Sequence, residues 1–310
     1  MVQELAVIFN PDKISAARLE RLVKKHADEP FDLVETDRET GGQQAASAAV
    51  SAGAIRILVA GGDGTLRNVV QATEGLGIAI GIIPIGTGNI LARNLKLPLG
   101  VEQAIKKALR GSAYEIDLGL ARAIDTAGTH QSYLFTGIAG VGMDARLLQN
   151  TSKDRKKQFG WIAYIEGGIK SLPLKFERFD ISFDGKERTL KSYSLLVGNA
   201  GWLPGAISMM PDASLDDGKL DVAAIGPRRI WNWVDFLSRI TWQNKVVRPL
   251  ALGRKWMDQT ANVKTLENLS SARIRIRPHN PASMQLDGDG IGEIVEVDFS
   301  LKPKALRVLL

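Results

Sequence analysis

The chain has 310 residues, of which 45% are hydrophobic and 24% charged, with a formal charge of +6 and no cysteine. This describes a soluble globular protein that can bury a sizeable core, with room for two domains and no disulfide framework. No run of about 18 apolar residues spans a bilayer, and the N-terminus MVQELAVIFNPDK lacks the basic leader and cleavage site of a secretory signal.

In chain order, LAVIFN (5–10), FDLVET (31–36), IRILVA (55–60) and IAIGIIP (78–84) read as strands. Helical patterns alternate with them: one capped by Asp12, an Ala-rich one over Gln43–Ala52, and one from Leu66 whose Leu66, Val69, Val70 and Thr73 share a face. Such alternation predicts an α/β domain with a mostly parallel sheet. After Asp117 the texture becomes strand-rich. YLFTGIAG (133–140), FDISFDG (179–185), YSLLVGNA (193–200), LDVAAIG (220–226), ARIRIR (272–277), SMQLDGD (283–289) and EIVEVDF (293–299) predict mainly antiparallel pairing, with helical segments near 159–172 and 229–245. Alternate arginines in ARIRIR suit a bilayer interface or simply face solvent from a half-buried strand. His26, His130 and His279 have no metal-ligand spacing and read as structural or solvent-facing.

Two Gly-rich loops stand at carboxyl ends of predicted parallel strands, where open α/β sheets bind ligands. GGDGT (61–65) precedes one helix and GTGN (86–89) another. Glycine permits close backbone approach and positive φ, and free N–H groups at a helix start favour anionic oxygens. Neither loop is GxxxxGK[ST] or GxGxxG. Asp63 beside bound phosphates requires a divalent cation between them; as a turn former or helix cap it requires nothing further. In LDGDG (286–290), Asp287 and Asp289 either close a hairpin turn or place a general base. LDDGKLD (215–221) is a hard-cation loop or a solvated acidic turn.

Asn10–Pro11, GGDGT, PIGTGN (84–89), DDGKLD (216–221) and DGD (287–289) occur in an order that resembles the diacylglycerol kinase catalytic-domain family, in particular its soluble bacterial lipid kinases. The resemblance implies a Rossmann-like ATP-binding domain over residues 1–120, rejoined by a C-terminal segment at 300–310, and a β-rich, sandwich-like lipid-substrate domain over 121–299. ATP would lie in the cleft. Asn10, Gly61, Gly62, Asp63, Gly64, Thr65, Gly86, Thr87, Gly88 and Asn89 would contact the nucleotide or its Mg2+. Asp287 would be the base and Asp289 its acidic partner. Asp217, with the carbonyls of Ser214 and Lys219, would hold a structural Mg2+.

The chain departs from the family pattern where Arg67 and Asn68 replace a usual Asn-Glu, where Ile90 replaces an acid after Asn89, and where Asp289 replaces Glu. The expected activity is transfer of the ATP γ-phosphate to a lipid hydroxyl, foremost diacylglycerol to phosphatidic acid. A sphingoid-base or other lipid kinase, an NAD kinase-like enzyme and an inactive lipid- or nucleotide-binding protein are the alternatives.

The expected setting is the cytoplasm, at the inner face of the membrane, without a nucleic-acid partner and with the oligomeric state open, a homodimer being one option. RRIWNWVDFLSRITWQNKVVR (228–248) mixes Trp231, Trp233, Phe236, Ile240 and Trp242 with basic residues, which suits a bilayer interface or an amphipathic core helix. KDRKK (153–157) and Arg228–Arg229 read as solvated loops or as charge that attracts phosphates and anionic lipid.

Overall fold

Short apolar runs separated by amphipathic helices build the first half as a layered sheet. The structure, a computed structural model, describes residues 4–37, 39–142, 176–204, 207–225 and 268–310. Elements follow the order β1 (Leu5–Phe9), α1 (Ala16–Lys24), β2 (Phe31–Glu35), α2 (Gln43–Ser51), β3 (Arg56–Gly61), α3 (Asp63–Thr73), β4 (Ala79–Pro84), α4 (Ile90–Asn94) and α5 (Val101–Arg110). The strands pair in parallel as β2-β1-β3-β4. Strand side chains alternate between faces, so Leu5, Val7 and Phe9 pack with α1 and α5, while Ala6 and Ile8 pack with α2 and α3. Leu66, Val69, Val70 and Thr73 form the buried face of α3, as their spacing predicts.

The second half contains β5 (Ala113–Asp125), β6 (His130–Phe135), β7 (Ile138–Gly142), β8 (Glu177–Phe183), β9 (Lys186–Ser192), β10 (Ser194–Gly198), β11 (Trp202–Leu203), β12 (Ile207–Ser208), β13 (Leu220–Ile225), β14 (Asn268–Ser271), β15 (Arg273–Pro278), β16 (Ala282–Leu286) and β17 (Asp289–Leu309). One arm runs β14-β13-β10-β7-β16 and the other β9-β8-β15, and both join β17. Their inner residues, among them Phe135, Val141, Phe179, Leu195, Val222, Ile274, Met284 and Phe299, form one core, the packing of a β-sandwich. On β15, Ile274 and Ile276 are buried. The intervening Arg273, Arg275 and Arg277 pair outward with Asp298 and Glu296 of β17.

Two long strands run through both halves. β5 pairs with β17 from Asp125 down to Ala113, and Arg307 and Val308 of β17 pair in parallel with Ala79 and Ile80 of β4. Residue 120 falls inside β5, so no linker separates the halves there. The 113–125 strand escapes the sequence reading because Asp117, Gly119 and Arg122 interrupt its apolar pattern. YLFTGIAG divides at Thr136–Gly137 into β6 and β7. KDRKK, the segment 228–248 and the helices expected near 159–172 and 229–245 lie outside the described residues.

Gly119 of β5 stands directly opposite Phe135 of β6, whose ring covers it. A Cβ at 119 would meet ring atoms at 2.2–2.4 Å, and Phe135 is itself wedged edge-on against Phe299 at 6.0 Å between centroids. Gly119→Ala is therefore expected to lower the unfolding free energy by about 1–3 kcal/mol in urea titrations.

Candidate functional site

The carboxyl ends of β1, β3 and β4 bring three segments together. Asn10 follows β1, donates its N–H to Ala60 O at 3.0 Å, and accepts Asp12 N on its Oδ1 at 2.9 Å. GGDGT follows β3. Asp63, Gly64 and Thr65 already form the first turn of α3, three residues earlier than the apolar spacing indicates. The second loop follows β4 and touches the first, since a Cβ on Gly86 would stand 2.6 Å from Gly62 Cα. Only glycine on both loops permits that approach. Thr87 is exposed at the loop tip. Thr65 is buried beneath Gly61.

Asp63 fastens the loops. One carboxylate oxygen accepts Asn89 N at 2.7 Å and the other accepts Ile90 N at 2.6 Å, which caps α4. Asn89, in the left-handed region at φ 49°, folds its amide back on Gly86 with hydrogen bonds of 2.9 and 2.8 Å. Gly88 lies against Asp63, and Arg93 donates to Gly88 O at 2.8 Å. The cap reading of Asp63 is thus realised, with both oxygens committed to backbone amides. Burial, and then the facing Asp287, push its pKa up from 3.8 to about 7 against the pull of those amides.

Asp287 and Gly288 form the two-residue turn between β16 and β17, both at positive φ, as a DG hairpin demands. The turn also buries the Asp287 side chain. The residue is 4% exposed. Its carboxylate accepts N–H bonds from Thr136 (2.8 Å), Gly137 (2.8 Å) and Ile138 (3.1 Å), and one from the Thr136 hydroxyl at 3.2 Å. These donors are the backbone freed by the break between β6 and β7. Burial raises the Asp287 pKa; Arg67 and the amides pull it down. Gly137 lies between Asp287 and Ile90, so the contacts run Asp63, Ile90, Gly137, Asp287 across the two halves. Ile90 packs with Ile138, Leu196 and Ala200, an apolar setting that would not suit a carboxylate.

Asp289 is 51% exposed at its side chain, and its carboxylate rests on Gly64, where a Cβ would be 2.5 Å away. The structure therefore joins both Gly-rich loops and the DGD turn in one place. It does not bring the acidic loop there. Ser214 donates to Asp216 at 2.7 Å, and Lys219 N donates to Asp217 at 3.0 Å. The loop is anchored through Asp117, whose carboxylate accepts Gly218 N and Lys304 N, both at 2.8 Å. Asp221 is pushed up to about 6 by burial and then by Asp217 and Asp212. Among the described residues no three His, Asp or Glu side chains converge as a metal cluster.

Three contributors went unforeseen. Asp117 is 2% exposed inside an apolar run, and a lone acid there was the available signal. Thr136 and Gly137 read as strand within YLFTGIAG but form the break before β7, which starts at Ile138. Asn94 accepts Trp202 N at 3.0 Å and donates to Trp202 O at 2.9 Å, which ties α4 to the second half, and nothing in its local sequence marks it.

Residues 4–121 match the family described as diacylglycerol kinase catalytic domain, and residues 137–310 match the family described as YegS C-terminal NAD kinase beta sandwich-like domain. The chain belongs to the diacylglycerol kinase-like family of lipid kinases. A "Probable lipid kinase YegS-like" of Pseudomonas aeruginosa is 29% identical over 84% of this chain and 78% of its own length. A diacylglycerol kinase of Bacillus subtilis is 29% identical over 75% of this chain and 70% of its own. An uncharacterized protein of Synechocystis sp. is longer, and its 25% identity covers 81% of this chain but 54% of that protein. A crystal structure of a diacylglycerol kinase from Bacillus anthracis has TM-score 0.74 at 19% identity and covers 99% of this chain and 96% of that one. An NAD kinase from Archaeoglobus fulgidus in complex with ATP shares the fold at TM-score 0.55 and 12% identity, over 99% of this chain and 93% of that one.

Because the Asp63 pKa is raised on folding, the stability it contributes is present below pH 3.8 and lost as pH rises through about 7. Urea titrations across this window should show unfolding free energy falling with pH in the wild type and less steeply in Asp63→Asn. Equal slopes in the two proteins would refute the raised pKa.

Proposed function

We propose that this member of the lipid-kinase family uses ATP to phosphorylate a lipid hydroxyl, most simply that of diacylglycerol to give phosphatidic acid. The carrying observation is that the DGD turn is held directly against the two touching Gly-rich loops. Backbone amides there suit phosphate oxygens, which accounts for a phosphate site without the usual lysine. Residues 1–120 with 300–310 take the role of the ATP-binding part and 121–299 that of the lipid-binding part, with Asn10, Gly61–Thr65 and Gly86–Asn89 lining the nucleotide.

The hydroxyl of the lipid attacks the γ-phosphorus in line and loses its proton to Asp287, while the bond to the leaving ADP oxygen breaks. Asp287 is saturated by donors in the structure, but one of the four is a side-chain hydroxyl at 3.2 Å. Rotation of Thr136 frees a lone pair for an acceptor hydroxyl and leaves the three amide bonds in place. Asp289 supports this turn from its half-exposed position.

Magnesium would have two places to act. Asp217, with the Ser214 and Lys219 carbonyls, would supply hard-oxygen donors of the kind suited to a structural ion. Near the phosphates, both Asp63 oxygens are engaged by amides, so the ion's ligands there would come mainly from the nucleotide and water. Its chemistry would be neutralisation of phosphate charge.

A lipid acceptor calls for contact with the inner face of a bilayer, and the Trp-rich segment 228–248 is the candidate surface. Vesicle co-sedimentation that survives Trp231→Ser with Trp233→Ser would remove that assignment.

Asp287→Asn is expected to cut phosphoryl transfer from labelled ATP to diacylglycerol micelles by about 10²–10⁴-fold, with calorimetric ATP affinity retained. Undiminished turnover in that variant would remove Asp287 from the chemistry. ATP binding by the wild type without any lipid product would instead point to a binding protein.

A further inference from the structure

Arg67 leaves α3 one turn beyond Asp63, and its side chain is 14% exposed at the junction of the two halves. Nη2 meets Asp289 Oδ2 at 3.0 Å, and Nη1 donates to the carbonyl oxygen of Leu286. Leu286 and Asp289 are paired across the hairpin and flank Asp287–Gly288. One guanidinium therefore grips both ends of the turn that carries Asp287. It also presses that turn onto α3, where Asp289 covers Gly64. A planar fork with several donors can hold a carbonyl and a carboxylate together; an ammonium lacks that fixed geometry.

We propose that Arg67 is a positioning residue for phosphoryl transfer, fixing the 286–289 hairpin against α3 so that the Asp287 carboxylate is set toward the nucleotide loops. The inference rests on the phosphotransfer reading of the site. It assigns a role to a side chain that replaces the family's usual residue, and it makes the seating of the 286–289 hairpin on α3 depend on one cation.

The charged surroundings of Asp287 give the role a signature. Arg67 and Asp63 face it from α3, Asp289 shares its turn, and the amides of Thr136, Gly137 and Ile138 close the remaining side. Arg67 draws the Asp287 pKa down against burial, so loss of Arg67 moves the acidic limb of kcat to higher pH. A brace that served stability alone would lower the melting temperature and leave that limb in place.

The test compares wild type, Arg67→Ala, Arg67→Lys, Asp289→Ala and the Arg67→Ala/Asp289→Ala double variant. Melting curves, ATP KM, kcat against pH, and hydrogen exchange of the amides in 286–290 would be measured for each. Arg67→Ala should retain its ATP KM, lose about 100-fold in kcat as a misplaced reacting group does, and shift the acidic limb upward. Arg67→Lys should restore the limb but not kcat, because it returns the charge without the fork. The double variant should be no worse than Arg67→Ala.

Wild-type kcat in Arg67→Lys, or additive losses in the double variant, would overturn the proposal. If Arg67→Ala fails to fold, Arg67→Lys decides by the same kcat criterion. Absence of any lipid phosphorylation by the wild type would defeat the phosphotransfer reading itself. Hydrogen exchange then decides the grip on the hairpin: faster exchange in Arg67→Lys upholds it, and unchanged exchange overturns it.

Discussion

A carboxylate withdrawn from water must be met by donors, and the way Asp287 meets them organises the site. Its donors are main-chain N–H groups of Thr136, Gly137 and Ile138, left free because β6 and β7 are interrupted there. The interruption pins the β16–β17 hairpin to the middle of the second half. Gly137 then rests against Ile90, and the amide of Ile90 is held by Asp63. Residues from four separate stretches of chain are thereby fixed by one uninterrupted series of contacts.

The same series concentrates unfavourable electrostatics and conformation where chemistry is expected. Asp63 and Asp287 face one another, and burial raises the pKa of both. Asn89 and Asp287 each occupy the left-handed region with a side chain, a conformation that Asn and Asp tolerate better than other non-glycine residues. The fold supplies compensation by backbone amides and by Arg67.

Much of this was legible in the residues because it rests on local rules. Alternating apolar runs with helical spacing give the parallel half, and Gly-rich loops after β3 and β4 mark where a ligand belongs. The DG signal is satisfied as a hairpin, and the same turn buries the Asp287 carboxylate, so the hairpin reading does not compete with a functional one. What stayed hidden depends on partners distant in sequence. Asp63 caps a helix that starts 27 residues later, Arg67 reaches residue 289, and Asp117 holds residues 218 and 304 together. A single residue's type and immediate spacing carry no record of such partners. The strand β5 is obscured for a related reason: Asp117, Gly119 and Arg122 break its apolar run, and the buried Asp117 is met by residues 218 and 304, far away in sequence.

β17 begins at the turn beside Asp287 and ends paired with β4 of the opposite half. On a ribosome the parallel half is made first, yet its sheet keeps an open edge at β4 until residues 307 and 308 emerge. The first-made half thus cannot reach its final form ahead of the second, and the order of synthesis does not become an order of independent folding. Assembly of the ligand loops and closure of the sheet edge are coupled through one strand, so a nascent chain is committed to neither until nearly all of it is available.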